Sequence, residues 1–370
     1  VPDLRFPEFS GEWVETELQD IVPNICSGKD RISNSGEVAL YGSTGVIGRT
    51  NSASYKENIV LVARVGANAG QMQIGNAPCG VTDNTLVIDA KEWNYYIYYF
   101  LQHYNLNRLV FGSGQPLITG GMLKRIKVRY GCKAERNNIT RLLCLIDERI
   151  ATQNKIIEKY ESLIQAMCDT LIESEQLKVE LSFNDFGKPY SGLSGKSAED
   201  FGNGWPYITY MNVYQNQIID ITDVGLVKIN ETEQQSVVRY GDILFTLSSE
   251  TPDEVGMGAV YLGDIYPLYL NSFCFGVHIT DESKIYPPFL AYYISTKSFR
   301  KAVFPLAQGS TRFNLQKNDF MKKIFHFPTV KKQSEIYSVL KAYSDKLSIE
   351  KNIANLLCEQ KSYLLRQLFI

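Results

Sequence analysis

The sequence predicts an α+β protein of two strand-rich domains, each followed by a long helix, with the two helices paired as an antiparallel coiled coil. Three observations carry this expectation: an internal repeat, two uninterrupted helical seams, and short apolar runs framed by glycine. Tyr98-Tyr99-Phe100 has a counterpart 194 positions on in Tyr292-Tyr293-Ile294, and Gly114-Gln115 has one 195 on in Gly309-Ser310. Ile139 matches Ile336, 197 on, and from there the copies stay in step to the C-terminus. A period this long is not that of a solenoid and means two comparable domains.

The first domain is expected over 1–138. Ile59-Val60-Leu61-Val62-Ala63 is a buried-strand candidate, and Tyr41-Gly42-Ser43-Thr44-Gly45 supplies turn chemistry before it. The Tyr-rich stretch 95–104 predicts a helix whose aromatics pack in a core. A central helix follows over 139–175. Its positions 139, 143, 146, 150, 153, 157, 160, 164, 167 and 171 are apolar except for Gln153, in alternating steps of four and three. The second domain, 176–333, repeats the plan with a strand at Asp242-Ile243-Leu244-Phe245-Thr246, glycines at 256 and 258, and a helical stretch at 286–299. The C-terminal helix, 334–370, carries the matching seam from Ile336 to Leu368, with Glu350 at the place of Gln153 and Lys361 as its second polar position. A polar seam residue costs stability and fixes register. About 33 residues at 1.5 Å each make a rod of roughly 50 Å, and an antiparallel pair would hold the domains apart at its ends.

Composition narrows the classes. The chain has 370 residues, 44% hydrophobic and 21% charged, which is globular rather than disordered. No apolar run is long enough to span a membrane, and no signal peptide opens the chain. The sequence starts at Val1 rather than Met, so the natural start is expected upstream. Seven cysteines without a C-x-x-C pair and three scattered histidines predict reduced thiols in a cytosol and no zinc cluster. The net charge of −2 gives no warrant for nucleic acid, but its distribution is uneven. Seven Lys or Arg and only Glu135 as an acid lie from Arg108 to Arg136; nine and only Asp319 lie from Lys297 to Lys332. Each run has a bland explanation as a solvated face, which its recurrence in both copies weakens.

Catalytic patterns are weak. Ser191-Gly192-Leu193-Ser194-Gly195-Lys196-Ser197 imitates a phosphate-binding loop, but Tyr190 stands where its first glycine belongs and no buried strand precedes it. Pro252-Asp253 with Glu282-Ser283-Lys284 could be assembled into a Mg-dependent nuclease, yet the first copy has no equivalent. No methyltransferase loop and no Ser/His/Asp nucleophile set is evident. The alternatives to be tested are therefore a stand-alone nuclease and a coiled-coil scaffold without DNA contact.

Several motifs, in order, resemble the specificity subunits of type I restriction-modification systems: Leu4-Arg5-Phe6-Pro7-Glu8-Phe9-Ser10-Gly11-Glu12-Trp13, then Gly114-Gln115-Pro116-Leu117-Ile118, then Ser194-Gly195-Lys196 with Pro206 to Val213, then Gln308-Gly309-Ser310-Thr311-Arg312. The resemblance covers essentially the whole chain. It implies two target recognition domains, each reading one half of a bipartite site, and a bacterial or archaeal cytoplasm. It implies modification subunits, expected as two, that methylate adenine with S-adenosylmethionine, and restriction subunits that use ATP and Mg. This subunit itself is expected to be non-catalytic and to hold no cofactor or metal. Base reading needs short polar and Arg side chains on rigid loops. The candidates are Ser43, Thr44, Arg49, Arg64 and Gln115 in the first copy, and Lys196, Asn212, Ser248, Ser249, Glu250, Ser310, Thr311 and Arg312 in the second. Arg64 aligns with Leu247, so the two halves of the site are expected to differ.

Overall fold

The computed structural model describes residues 2–110, 116–175 and 178–370. Two compact units result: Val1–Lys155 with Lys351–Ile370, and Ile156–Glu350. The units therefore do not follow the linear order of the chain, because each long helix contributes to both.

The first unit contains strands β1 (Val14–Glu17), β2 (Ile25–Ser27), β3 (Val38–Gly42), β4 (Gly45–Thr50), β5 (Ile59–Ala63), β6 (Met72–Gly75), β7 (Cys79–Val81), β8 (Thr85–Ile88) and β9 (Lys127–Tyr130). They form one sheet in the order β2-β8-β5-β6, a second in the order β4-β3-β7, and the antiparallel pair β1-β9. The second unit contains β10 (Lys178–Leu181), β11 (Gly187–Ser191), β12 (Phe201–Ile208), β13 (Val224–Val227), β14 (Ile243–Thr246), β15 (Ser248–Ser249), β16 (Gly258–Val260), β17 (Tyr269–Leu270), β18 (Cys274–Ile279), β19 (Ala307–Gln308), β20 (Phe313–Leu315) and β21 (Phe325–Pro328). Here the orders are β11-β18-β14-β16, β13-β12-β17, β15-β20-β19 and the pair β10-β21. A parallel strand pairing recurs too, β3 with β7 and β12 with β17. The repeat seen in the sequence is thus a repeat of topology.

The apolar runs become central strands because both of their faces are covered: every residue of β5 and of β14 is buried. The short helices of the first unit are α1 (Leu18–Ile21), α2 (Asn94–Tyr104) and α3 (Gly120–Lys124), and the long α4 (Lys133–Glu173) belongs to it only as far as Lys155. Those of the second are α5 (Tyr210–Gln215), α6 (Pro287–Tyr293), α7 (Lys297–Val303) and α8 (Lys317–Lys322), and the long α9 (Val330–Leu368) belongs to it only as far as Glu350. The helix expected over 286–299 is interrupted: Thr296 caps α7, its hydroxyl accepting from the Phe299 N–H. The aromatics do lie in cores. Tyr96, Tyr99, Phe100, Tyr292 and Tyr293 are all buried. The second unit packs Phe183, Phe245, Phe275, Phe299, Phe320 and Phe325 into one cluster of edge and stacked rings. Each such ring contributes roughly 1.5–3 kcal/mol by leaving water.

No Pro or Gly falls within α4 or α9, and both run the full length of the expected seams. They begin earlier than the expected 139 and 334, because seam counting starts only at the first buried apolar residue. Ile139, Leu143 and Ile146 are buried with Leu364 and Leu368 in the first unit, where Lys361 Nζ lies 2.7 Å from Asp147. In the second unit Lys346 lies within electrostatic reach of Tyr160, and Lys332 Nζ is 3.7 Å from Glu175. Partners that rise along one helix as they fall along the other make the packing antiparallel. Gln153 and Glu350 are both buried seam residues. Two details differ from the expected seam. Near the end of α4, Cys168 and Ile172 are buried more fully than Met167 and Leu171, since a straight helix drifts off a strict heptad and turns these side chains into the second unit's core. Tyr343 is 36% exposed.

The Tyr98/Tyr292 alignment is one residue out. In the structure Tyr99 donates its hydroxyl to Asp147 at 2.9 Å, tying α2 to α4, and Tyr292 shares a hydrogen bond with Ser344 at 2.9 Å, tying α6 to α9. Burial also pushes the thiols of Cys79, Cys168 and Cys274 up, to about 11, about 12 and about 12.

Candidate nucleic-acid interface

In the first unit one end of the sheets gathers four loops. Asn84, between β7 and β8, is the anchor: its carbonyl accepts from the Ser43 hydroxyl at 3.1 Å and from the Arg64 N–H at 3.0 Å. The Arg64 carbonyl in turn accepts from the Ile118 N–H at 2.9 Å. Ser43, exposed Thr44 and half-buried Arg64 are therefore brought together. The loop after β2 joins them because Gly28 lets two backbones meet. A Cβ there would sit 2.1 Å from the Val81 carbonyl oxygen. This loop carries Lys29 and Arg31, which with Ile32, Thr82 and Asp83 line an open cleft. Sequence reading missed them; a usable signal was Ser27-Gly28, repeated as Ser191-Gly192. Arg49 is not part of this group. It lies at the other end of the β3–β4 hairpin, opposite Ala39, and donates to the Glu37 carbonyl at 2.7 Å. Gln115 lies outside the described residues.

The second unit has the same frame. The Leu247 N–H donates to the Phe273 carbonyl at 2.9 Å, and the Leu315 N–H donates to the Leu247 carbonyl at 2.8 Å. Leu247 and Phe273 thus occupy the places of Arg64 and Asn84. Gly192 matches Gly28, a Cβ there falling 2.0 Å from the Asn271 carbonyl oxygen. Glu250, Ser310, Thr311 and Arg312 are exposed, the last three in the turn between β19 and β20. The Arg312 guanidinium lies over the Phe273 ring, 5.9 Å from its centre.

Four other candidates of this unit are engaged within the fold, which corrects their reading as free base contacts. Asn212 is fully buried. Its amide donates to the carbonyls of Asp220 and Asp223, and its oxygen accepts from Asn216 and from the Asp220 N–H. The Lys196 side chain is 4% exposed and ion-paired with Glu233 at 2.5 Å, which holds the Glu233 carboxyl below its ordinary value. Ser248 and Ser249 are buried in β15, with the Ser249 hydroxyl donating to Glu254 at 3.1 Å. Hydrogen bonds from Tyr214, Thr251 and Ser249 keep the Glu254 carboxyl below its usual range, so Ser249 braces the loop that carries Glu250, while the Ser248 carbonyl accepts from the Tyr210 hydroxyl.

The family model described as "Type I restriction modification DNA specificity domain" matches this chain twice, over 10–162 and 191–359. The chain belongs to that family. Among solved structures, this specificity subunit is similar to the type I restriction-modification S subunit from M. genitalium, at 17% identity and a TM-score of 0.62, covering 100% of this chain and 99% of that one. It is also similar to a chain from a structure described as the basis of complex assembly and conformational transition of the type I R-M system. That match has 14% identity and a TM-score of 0.57, and covers 100% and 99% of the two chains. A comparison with curated proteins finds no match.

The motifs that suggested other activities have structural uses in the specificity subunit. Lys196, the lysine of the false phosphate loop, is held by Glu233, and the following helical turn spans only Ala198–Asp200. Of the nuclease-like residues, Lys284 pairs with Asp281 at 3.0 Å and donates to the Asp185 carbonyl, while the Asp253 carbonyl accepts from Arg300. Among the described residues no group of three His, Cys, Asp or Glu could hold a metal ion, and no helix is long and apolar enough to cross a membrane. Much of each basic run is likewise paired with groups of the chain itself. Lys127 and Arg129 pair with Glu15, Lys133 with Glu92, and Arg136 stacks 3.3 Å from the Trp93 ring centre. Arg300 is turned into the carbonyls of Asp253, Val255 and Gly256, and Lys297 and Lys332 face carboxylates.

Proposed function

We propose that each unit reads one half of a bipartite, asymmetric double-stranded DNA site, and that the subunit positions partner subunits which do the chemistry. The observation that carries this is the shared frame with different side chains: Arg64 and Asn84 at one end, Leu247 and Phe273 at the equivalent end of the other unit. A common backbone with exchanged loop residues is what reading two different sequences requires. In the first unit Arg64, Lys29 and Arg31 suit guanine edges and phosphates, and Ser43 and Thr44 suit polar base edges. In the second, the exposed Arg312, Ser310, Thr311 and Glu250 are the candidate polar groups, without a side-chain hydrogen bond among the described residues. Adenine methylation with S-adenosylmethionine, and ATP- and Mg-dependent cleavage, are assigned to modification and restriction subunits. Exposed apolar residues on the long helices offer those subunits a surface: Leu145, Leu356 and Tyr363 in the first unit, Leu163, Val339 and Ile349 in the second. Near-neutral net charge fits a complex in which partners supply much of the phosphate grip.

Expression of the subunit with its modification partner in a methylation-free host, followed by methylation mapping, tests the reading. A split motif with two unlike halves is expected. A contiguous motif, or a palindrome with like halves, would contradict it.

A further inference from the structure

We propose that Phe273 is a specificity-determining residue that covers the 5-methyl group of a thymine in the half-site read by the second unit. This rests on the DNA-reading role argued above and adds a base and an atom to it. Phe273 is 56% exposed and belongs to no core cluster among the described residues. It sits in the tight turn between β17 and β18, with both backbone groups tied: its N–H donates to Asn271 Oδ1 at 2.9 Å and its carbonyl accepts from Leu247. The ring is thus held on a fixed backbone with much of its surface in water.

The frame does not require an aromatic here. In the first unit Asn84 makes the same backbone bond to Arg64 that Phe273 makes to Leu247. The two bonds that tie the turn come from the backbone of residue 273, so forming them does not call for an aromatic side chain. What it adds is an apolar knob at the end of the unit where Glu250 and the 310–312 turn gather. Beside it stands Arg312, whose guanidinium makes no hydrogen bond or ion pair with any described residue and leans over the ring. In the major groove thymine alone offers an apolar group, its C5-methyl, and Phe is among the side chains that contact it. Arg312 next to it has its nitrogens free for a guanine edge or a phosphate.

The test uses the assembled complex of this subunit with its modification partner and duplexes carrying the mapped site. Each thymine is replaced in turn by deoxyuridine, which removes only the methyl group. One position, in one half only, is expected to weaken wild-type binding about three- to fivefold, the worth of one buried methyl. That loss should disappear in Phe273→Ala and in Phe273→Asn, both of which should melt like the wild type and methylate a motif relaxed at that base pair. If no deoxyuridine position weakens wild-type binding, or the loss persists in both variants, the proposal is wrong while DNA reading stands. Equal weakening on all sequences would also overturn it and make Phe273 a wedge or a backbone contact. A complex that selects no site at all would instead overturn the DNA-reading role itself.

Discussion

At the residue scale, the informative contrast is between polar side chains that look alike in sequence. Asn212 and Arg312 both stood out as base readers, yet Asn212 has its amide donors and acceptor used inside the fold, whereas the Arg312 guanidinium makes no hydrogen bond among the described residues and lies over a ring. Sequence could not separate them, because burial of a short polar side chain depends on which carbonyls the tertiary fold aims at it. Lys196 is the same case. Its partner Glu233 is distant in sequence, and nothing near Lys196 announces the pair. Lys196→Met keeps the buried stem and removes the charge, so it should leave the methylated motif and the salt dependence of DNA binding unchanged. It should instead lower thermal stability. The sign follows from the Glu233 carboxyl being held low by Lys196. Its contribution is present above the ordinary glutamate value and is lost as pH falls through the lowered one. The gap in melting temperature between wild type and variant should therefore be open at neutral pH and close in acid. A gap that widens in acid, or a salt slope reduced by about one, would assign Lys196 to phosphate instead.

At the scale of elements, the long helices were the most legible part of the chain. A helix packed along one stripe shows its buried positions as a seven-residue pattern, and Ile139 to Ile164 and Ile336 to Leu368 display it with few exceptions. The end of α4 was less legible, because Cys168 and Ile172 answer to a sheet domain rather than to a partner helix. The loops carry no periodicity, so Lys29, Arg31 and Phe273 had no comparable signal; only the paired glycines Gly28 and Gly192 mark where they sit. We propose that α4 and α9 set the interval between the half-sites. Inserting one heptad at facing positions of both helices preserves the seam and lengthens each by roughly 10 Å, about three base pairs. Methylation mapping of that variant should show unchanged halves with an altered spacer. Altered halves with the original spacer would exclude the helices as the ruler.

At the scale of the whole molecule, the chain is a duplicated frame with unlike reading ends. The duplication was visible in sequence through Tyr-rich helices and the two seams, and the structure extends it to strand order, to a recurring parallel strand pairing and to matching backbone bonds. The difference between the ends was visible only as Arg64 against Leu247, and the structure adds Asn84 against Phe273. A subunit built this way should read its two halves independently. The most direct test is methylation mapping with Arg64→Ala in the assembled complex. Relaxed specificity is expected in one half-site, with the other half and the spacer unchanged, at a cost of about 1–3 kcal/mol in binding of the original site. Changes in both halves, or none in either, would contradict independent reading by two units.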